Sequence, residues 1–222
     1  MATIFVSNGR LKPKGLMDDE FKQRLENARS YVDVARRLGD MTALAHGLKE
    51  LGNIERRPPF LRHLALNSFS EAAQIYHELA LPLEEAWVLR HIGIIHEYAE
   101  RLVESEKCYD DALTLYRSHA KENTLDYANS VRYSAVIKNR LGKRNESRLL
   151  WEEAAKRYED LSVVVGMAEA AAWLAIFAIE NNDPELASTW FKRAKESCKG
   201  SNDEATFEFI DEVKKRLETA QA

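Results

Sequence analysis

The residues able to do chemistry in this chain of 222 amino acids do not assemble into a catalytic pattern. His91 and His96 stand five apart, which on a helix turns them to different faces and argues against a shared metal. Cys108 and Cys198 form neither a CxxC nor a Cys/His ligand pattern and read as reduced thiols of a cytoplasmic protein. Neighbouring acids such as Glu84-Glu85 and Glu152-Glu153 read as solvated helix faces rather than an acid–base pair. The sequence contains no phosphate-cradling glycine loop, no HExxH and no nucleophile elbow. The expectation is a protein that is not an enzyme and carries no metal and no cofactor. The chemistry left open is recognition.

The elements that would position recognising residues are helices. Only 9 Gly and 5 Pro interrupt a chain that is 45% hydrophobic and 31% charged, a composition suited to long helices and short turns. A net charge of -4 without a basic tract gives no reason to expect nucleic acid or a membrane surface as partner. The opening Met1-Ala2-Thr3-Ile4-Phe5-Val6-Ser7 lacks the flanks of a signal peptide. Residues 163–179 are the most apolar stretch, but Glu169 sits among them and they fall short of the ~20 residues of a membrane span. They predict a buried helix.

An internal repeat organises these helices. Gly93, Ser105, Tyr109 and Ala112 follow steps of 12, 4 and 3, and the same steps recur in Ala135, Ser147, Trp151 and Ala154 and in Ala175, Ala187, Phe191 and Ala194. Two antiparallel helices approach closely where both present small side chains, and an aromatic one turn further fills the groove beside the contact. Leu89/Ile92, Val131/Ser134 and Ala171/Leu174 supply the facing stripe. An earlier unit runs from Leu48, Leu51 and Gly52 to Ala72, Tyr76 and Leu79. Its step from Gly52 to Ala72 is 20, so eight residues are inserted around Arg57-Pro58-Pro59-Phe60. A helix ending near Arg57 and an unusually long one from about Phe60 to Ala80 are expected. Asp183-Pro184-Glu185 signals a helix start, Ser201 with Glu204 reads as a capping box, and Gly39, Gly142 and Asn182 read as C-terminal caps.

The landmarks Gly52, Gly93, Ala135 and Ala175 are 41, 42 and 40 residues apart. The pattern resembles the tetratricopeptide repeat, in the longer variety of kinesin light chain-like repeats, over residues 41–198. The resemblance implies an all-α, right-handed α-solenoid of antiparallel helix pairs. The expected organisation is an arm at 1–16, a repeat domain at 17–200 and a capping helix at 201–222. Within the repeat domain, a half-repeat at 18–39 precedes repeats at about 41–81, 84–121, 124–160 and 162–199.

In this family the first helix of each pair lines a concave wall. That correspondence places Lys49, Asn53, Arg56 and Arg57, then Arg90 and Glu97, then Arg132, Asn139 and Arg140, and finally Ala172, Ile176 and Ile179 on the wall. The basic members imply an acidic partner segment, because a guanidinium grips a carboxylate with two hydrogen bonds. The apolar face of Ala172, Ile176 and Ile179 calls for a cover, and the C-terminal helix is the expected one. Lys49-Glu-Leu-Gly-Asn53 resembles the opening of carboxylate-clamp repeats, but His91, Asn129 and Tyr133 stand where the rest of that clamp would be. The expected function is a cytoplasmic scaffold or adaptor that binds a protein or peptide, as a monomer or a homodimer. The alternatives are a self-assembling structural unit and a ligand- or peptide-sensing regulator.

Overall fold

The computed structural model describes residues 18–199 and 201–221, and these hold helices and turns without a strand. The arm expected at residues 1–16 lies outside the described residues. The fold is all-α, built of consecutive antiparallel helix pairs, and forms two compact units that divide between Lys121 and Glu122.

The N-terminal unit holds α1 (Asp19–Leu38), α2 (Met41–Glu55), α3 (Arg62–Glu78), α4 (Pro82–Tyr98) and α5 (Leu102–His119). Asp18 caps α1 by accepting the Phe21 N–H, and Asp40 caps α2 by accepting that of Ala43. Each helix packs on the next, α1 on α2, α2 on α3, α3 on α4 and α4 on α5. Pro58 and Pro59 end α2 and open a 3-10 turn (Pro59–Leu61) before α3.

Gly52 meets Phe69 rather than Tyr76: a Cβ on Gly52 would lie 2.7 Å from the Phe69 ring. The first register is therefore Gly52, Ala65, Phe69 and Ala72, with steps of 13, 4 and 3. One extra residue, not eight, separates it from the others, and α3 has 17 residues, the same length as α4 and α7. The long helix expected from Phe60 to Ala80 does not form. Tyr76 instead reaches back across the pair, its hydroxyl 3.2 Å from His46 Nδ1.

The C-terminal unit holds α6 (Leu125–Arg140), α7 (Arg144–Asp160), α8 (Val164–Glu180), α9 (Pro184–Ser197) and α10 (Glu204–Gln221). Asp183 caps α9, with Pro184 at the first helical position. The capping box read at Ser201 and Glu204 is replaced by Asp203, whose carboxylate accepts the Thr206 N–H at 3.0 Å. α10 lies against α8 and α9, where Leu217 joins Ala178 and Ala187, with Ile179 and Phe191 beside them. Ile210 and Val213 are also buried. Among the described residues, no side-chain hydrogen bond or ion pair ties α10 to another helix.

Two of the close helix contacts carry a hydrogen bond. Ser105 Oγ donates to the Gly93 carbonyl at 2.9 Å, and Ser147 Oγ to the Ala135 carbonyl at 2.7 Å. Both serines are fully buried, so the facing carbonyl supplies the acceptor they need. Tyr109 and Trp151 are likewise fully buried, whereas Phe191 lies at the rim of its contact. The turns share a second device. Gly39, Ala80, Glu100, Gly142, Ser162 and Asn182 all have left-handed backbone. The next N–H donates back five residues, as from Leu81 to the Tyr76 carbonyl and from Val163 to the Tyr158 carbonyl, both at 2.9 Å.

These contacts predict opposite responses to small changes. A Cβ on Gly93 would lie 2.5 Å from the Tyr109 ring, so Gly93→Ala is expected to destabilise the chain by about 1–3 kcal/mol in urea denaturation. Ala80→Gly, at a φ of 54°, should stay within about 1 kcal/mol of the parent. There, relief of left-handed backbone opposes the added freedom of the unfolded chain.

Candidate functional site

In the N-terminal unit the site residues named from sequence sit on α2, its C-cap and α4, and two of them, Lys49 and Arg90, flank an indole. Lys49 Nζ lies 4.5 Å from the centre of the Trp87 ring, and Arg90 Cζ lies 5.8 Å from it. Trp87 stacks on His91 with ring centres 3.6 Å apart, and Phe69 meets both rings. Asn53 Oδ1 accepts from Arg56 Nε at 2.8 Å, and Glu97 Oε2 accepts the Tyr109 hydroxyl at 2.9 Å. Lys49, Asn53, Arg56 and Glu97 are half-buried. Arg90, expected on an open wall, is only 5% exposed.

His91 marks how cationic this face is. Its Nδ1–H donates to the Trp87 carbonyl at 2.8 Å, one turn back on the same helix. Its pKa is lowered well below the ordinary 6.5, first by burial and then by the charge of Arg90, with Arg56 and Lys49 adding to the effect. The hydrogen bond to Trp87 works the other way, more strongly than the Arg56 or Lys49 charge but less than burial and Arg90. His91 is therefore neutral in the folded chain at neutral pH.

In the C-terminal unit, α6, α8 and α10, with Arg144 and Tyr158 of α7, line a half-open cavity of about 320 Å³. From α6 come Asn129, Arg132, Tyr133, Val136 and Asn139, and from α8 come Gly166, Glu169, Trp173, Ile176 and Glu180. α10 adds Thr206, Phe209, Glu212 and Arg216 to the lining. Trp173 and Phe209 face each other with ring centres 5.4 Å apart. Arg132, Asn139 and Ile176 are thus brought together, while Arg140 is half-buried on α6 outside the lining. Ile176 is buried, and so is Ala172.

Arg132 differs from its expected role as an open anchor. Its Nε and Nη2 donate to the two oxygens of Glu169 at 2.6 and 2.8 Å, a forked pair joining α6 to α8. Burial alone would lower the Arg132 pKa, but the Glu169 charge and the two hydrogen bonds outweigh it and raise it. Arg144 is held by Asn139 and Glu180, and Arg216 by Glu212. Sequence reasoning missed Trp173, Phe209, Arg144 and Arg216. The spacing of Thr206, Phe209, Glu212 and Arg216, a second stripe beside the buried Ile210, Val213 and Leu217, was the readable signal.

Nucleophile chemistry has little to draw on here. Burial pushes the Cys108 thiol up to about 11 and raises that of Cys198. Among the described residues, no group of three or more His, Cys, Asp or Glu is arranged to hold a metal ion. No described helix is long and apolar enough to cross a membrane.

Both units give measurable consequences. Side chains of the Arg132–Glu169 pair are 17% and 18% exposed. Glu169→Ala, which strands the guanidinium, should destabilise the chain by about 2–4 kcal/mol. The double variant Glu169→Leu/Arg132→Met should recover most of that loss in the same urea titration. For His91, the unfolded chain binds the proton that the folded chain refuses, so stability is fully present above 6.5 and falls as the pH drops below it toward the depressed folded value. Denaturation followed from about pH 7.5 to 5.5 should show a slope from this group of up to about 1.4 kcal/mol per pH unit. His91→Phe should flatten it.

No protein-family model matches the sequence. No curated protein matches it either. Solved structures do. BtubC (BKLC) from P. vanneervenii superposes with a TM-score of 0.72 at 18% identity, over 92% of this chain and 87% of that one. A signal transduction ATPase with numerous domains, carrying a tetratricopeptide repeat sensor, from Pyrococcus horikoshii gives 0.70 at 16% identity. That match covers 91% of this chain but 36% of the ATPase. At such identities the likeness speaks for the fold: the chain has the tetratricopeptide-type architecture of an all-α solenoid.

Proposed function

We propose that this chain is a non-catalytic module that binds a segment of a partner protein on the first helices of its pairs. The carrying observation is the cavity of about 320 Å³ between α6, α8 and α10, a size within the roughly 300–1,000 Å³ of ligand pockets. Its walls are helices fixed by core packing, so the lining is in place before a partner arrives and the ordering cost of binding is small. Beside Trp87, the half-buried cation Lys49 of α2 favours an acidic stretch of the partner. The period of 40 to 42 residues supports the kinesin light chain-like variety of repeat.

Self-association is the competing reading. It is favoured by the row Tyr31, Val34 and Leu38 on α1, exposed by 53%, 44% and 76%.

Affinity capture from the native lysate tests the proposal. The full chain should retain a partner that Lys49→Glu weakens by roughly tenfold, and more steeply at low salt. Capture unchanged in both Lys49→Glu and the cavity-filling Val136→Phe would sink the assignment of the binding faces. A solution mass that doubles across a concentration series, with no partner retained, would favour self-association instead.

A further inference from the structure

The cavity of the C-terminal unit has a chemistry of its own, and it is not that of the acidic partner suggested by the arginines. Among the described residues its lining holds the carboxylates of Glu169, Glu180, Asp203 and Glu212 against three guanidiniums, those of Arg132, Arg144 and Arg216. Those guanidiniums are engaged by Glu169, Glu180 and Glu212. Asp203 accepts the Thr206 N–H and hydroxyl at the start of α10. An incoming carboxylate would have to displace one of these acids and would enter a site already biased to negative charge.

The uncharged part of the wall points the other way. Trp173, Phe209, Val136 and Ile176 make an apolar and aromatic surface. Two carboxamides flank it with fixed orientation. Asn129 Oδ1 accepts the Tyr158 hydroxyl at 2.8 Å, and Asn139 Oδ1 accepts from Arg144. Their acceptor ends are thereby engaged. Among the described residues the Nδ2 groups donate to nothing, which leaves N–H donors for a neutral carbonyl.

We propose that this cavity is a pocket for one uncharged apolar side chain, leucine- or phenylalanine-sized, of an extended partner segment whose peptide carbonyls are taken by Asn129 and Asn139. The inference rests on the reading that the module binds a partner segment. It separates the two units by the chemistry they recognise: acidic residues on α2 and α4, a neutral anchor between α6, α8 and α10.

The test uses the intact chain labelled with nitrogen-15, whose 4 tryptophans give separate indole N–H signals. Trp173 reports the cavity, and Trp87 in the other unit serves as the internal control. The probes are N-acetyl methylamides of leucine, phenylalanine, glutamate and lysine, together with a pentapeptide carrying leucine between serines and glycines. Leucine and phenylalanine probes should shift the Trp173 signal saturably and leave Trp87 in place, while glutamate and lysine probes should do neither. The pentapeptide should bind more tightly than the single residue, because only it offers carbonyls on both sides. Val136→Phe, which fills the cavity from α6, should abolish the shift. Phe209→Ala, on α10, should weaken binding about three- to tenfold.

The proposal is overturned if Trp173 stays unmoved, if glutamate competes equally with leucine, or if the free residue outbinds the pentapeptide, the mark of a small-molecule site. It is also overturned if neither variant changes the response. A silent Trp173 with partner capture intact removes the pocket and leaves the binding module. Probes that seat normally while no partner is captured from lysate do the reverse.

Discussion

The close approach of paired helices at a small residue is the contact on which the rest of this structure depends. Gly93 faces Ser105 and Tyr109, and Ala135 faces Ser147. In both pairs the serine hydroxyl donates into the opposite backbone carbonyl. A carbonyl inside a helix already accepts one hydrogen bond and has a second lone pair to give. The bond therefore cross-links two helices without disturbing either ladder, and it holds only at a backbone separation that excludes a larger side chain. This contact sets where the first helix of each pair lies, and so which side chains it can offer to a ligand.

The charged groups are handled differently in the two units. On α2 and α4, Lys49 and Arg90 lie about the Trp87 ring, and the neighbouring imidazole of His91 stays neutral under burial and that positive field. On α6 and α8, Arg132 is matched by Glu169 with forked geometry, so the guanidinium fastens helices and is not free to greet a ligand.

Much of the architecture was legible in the sequence because its signals are local and periodic. The steps of 12, 4 and 3 needed no partner other than the adjacent helix, and the Asp183-Pro184 start acts within a single turn. Errors arose where two aromatics competed for one role. Phe69 and Tyr76 both lie on α3, and only packing against Gly52 reveals that Phe69 fills the contact. The turns at Ala80, Glu100 and Ser162 were invisible because the closing hydrogen bonds of the turn, not a glycine, hold their left-handed backbone. The site was read less well, since its character depends on pairing. Arg132 and Glu169 are 37 residues apart, and nothing in either segment alone announces the bond. Trp173 and Phe209 meet across helices that the repeat pattern treats separately.

The attachment of α10 has a thermal consequence. It is held to α8 and α9 by apolar burial, around Val213 and Leu217, while its charged side chains pair along its own length. Attraction of this kind fades on cooling and is strengthened by salts excluded from protein surface, whereas hydrogen-bonded contacts such as those of Ser105 and Ser147 are less affected. The wall carrying Phe209 is thus the part of its unit that chilling loosens first and sulfate tightens.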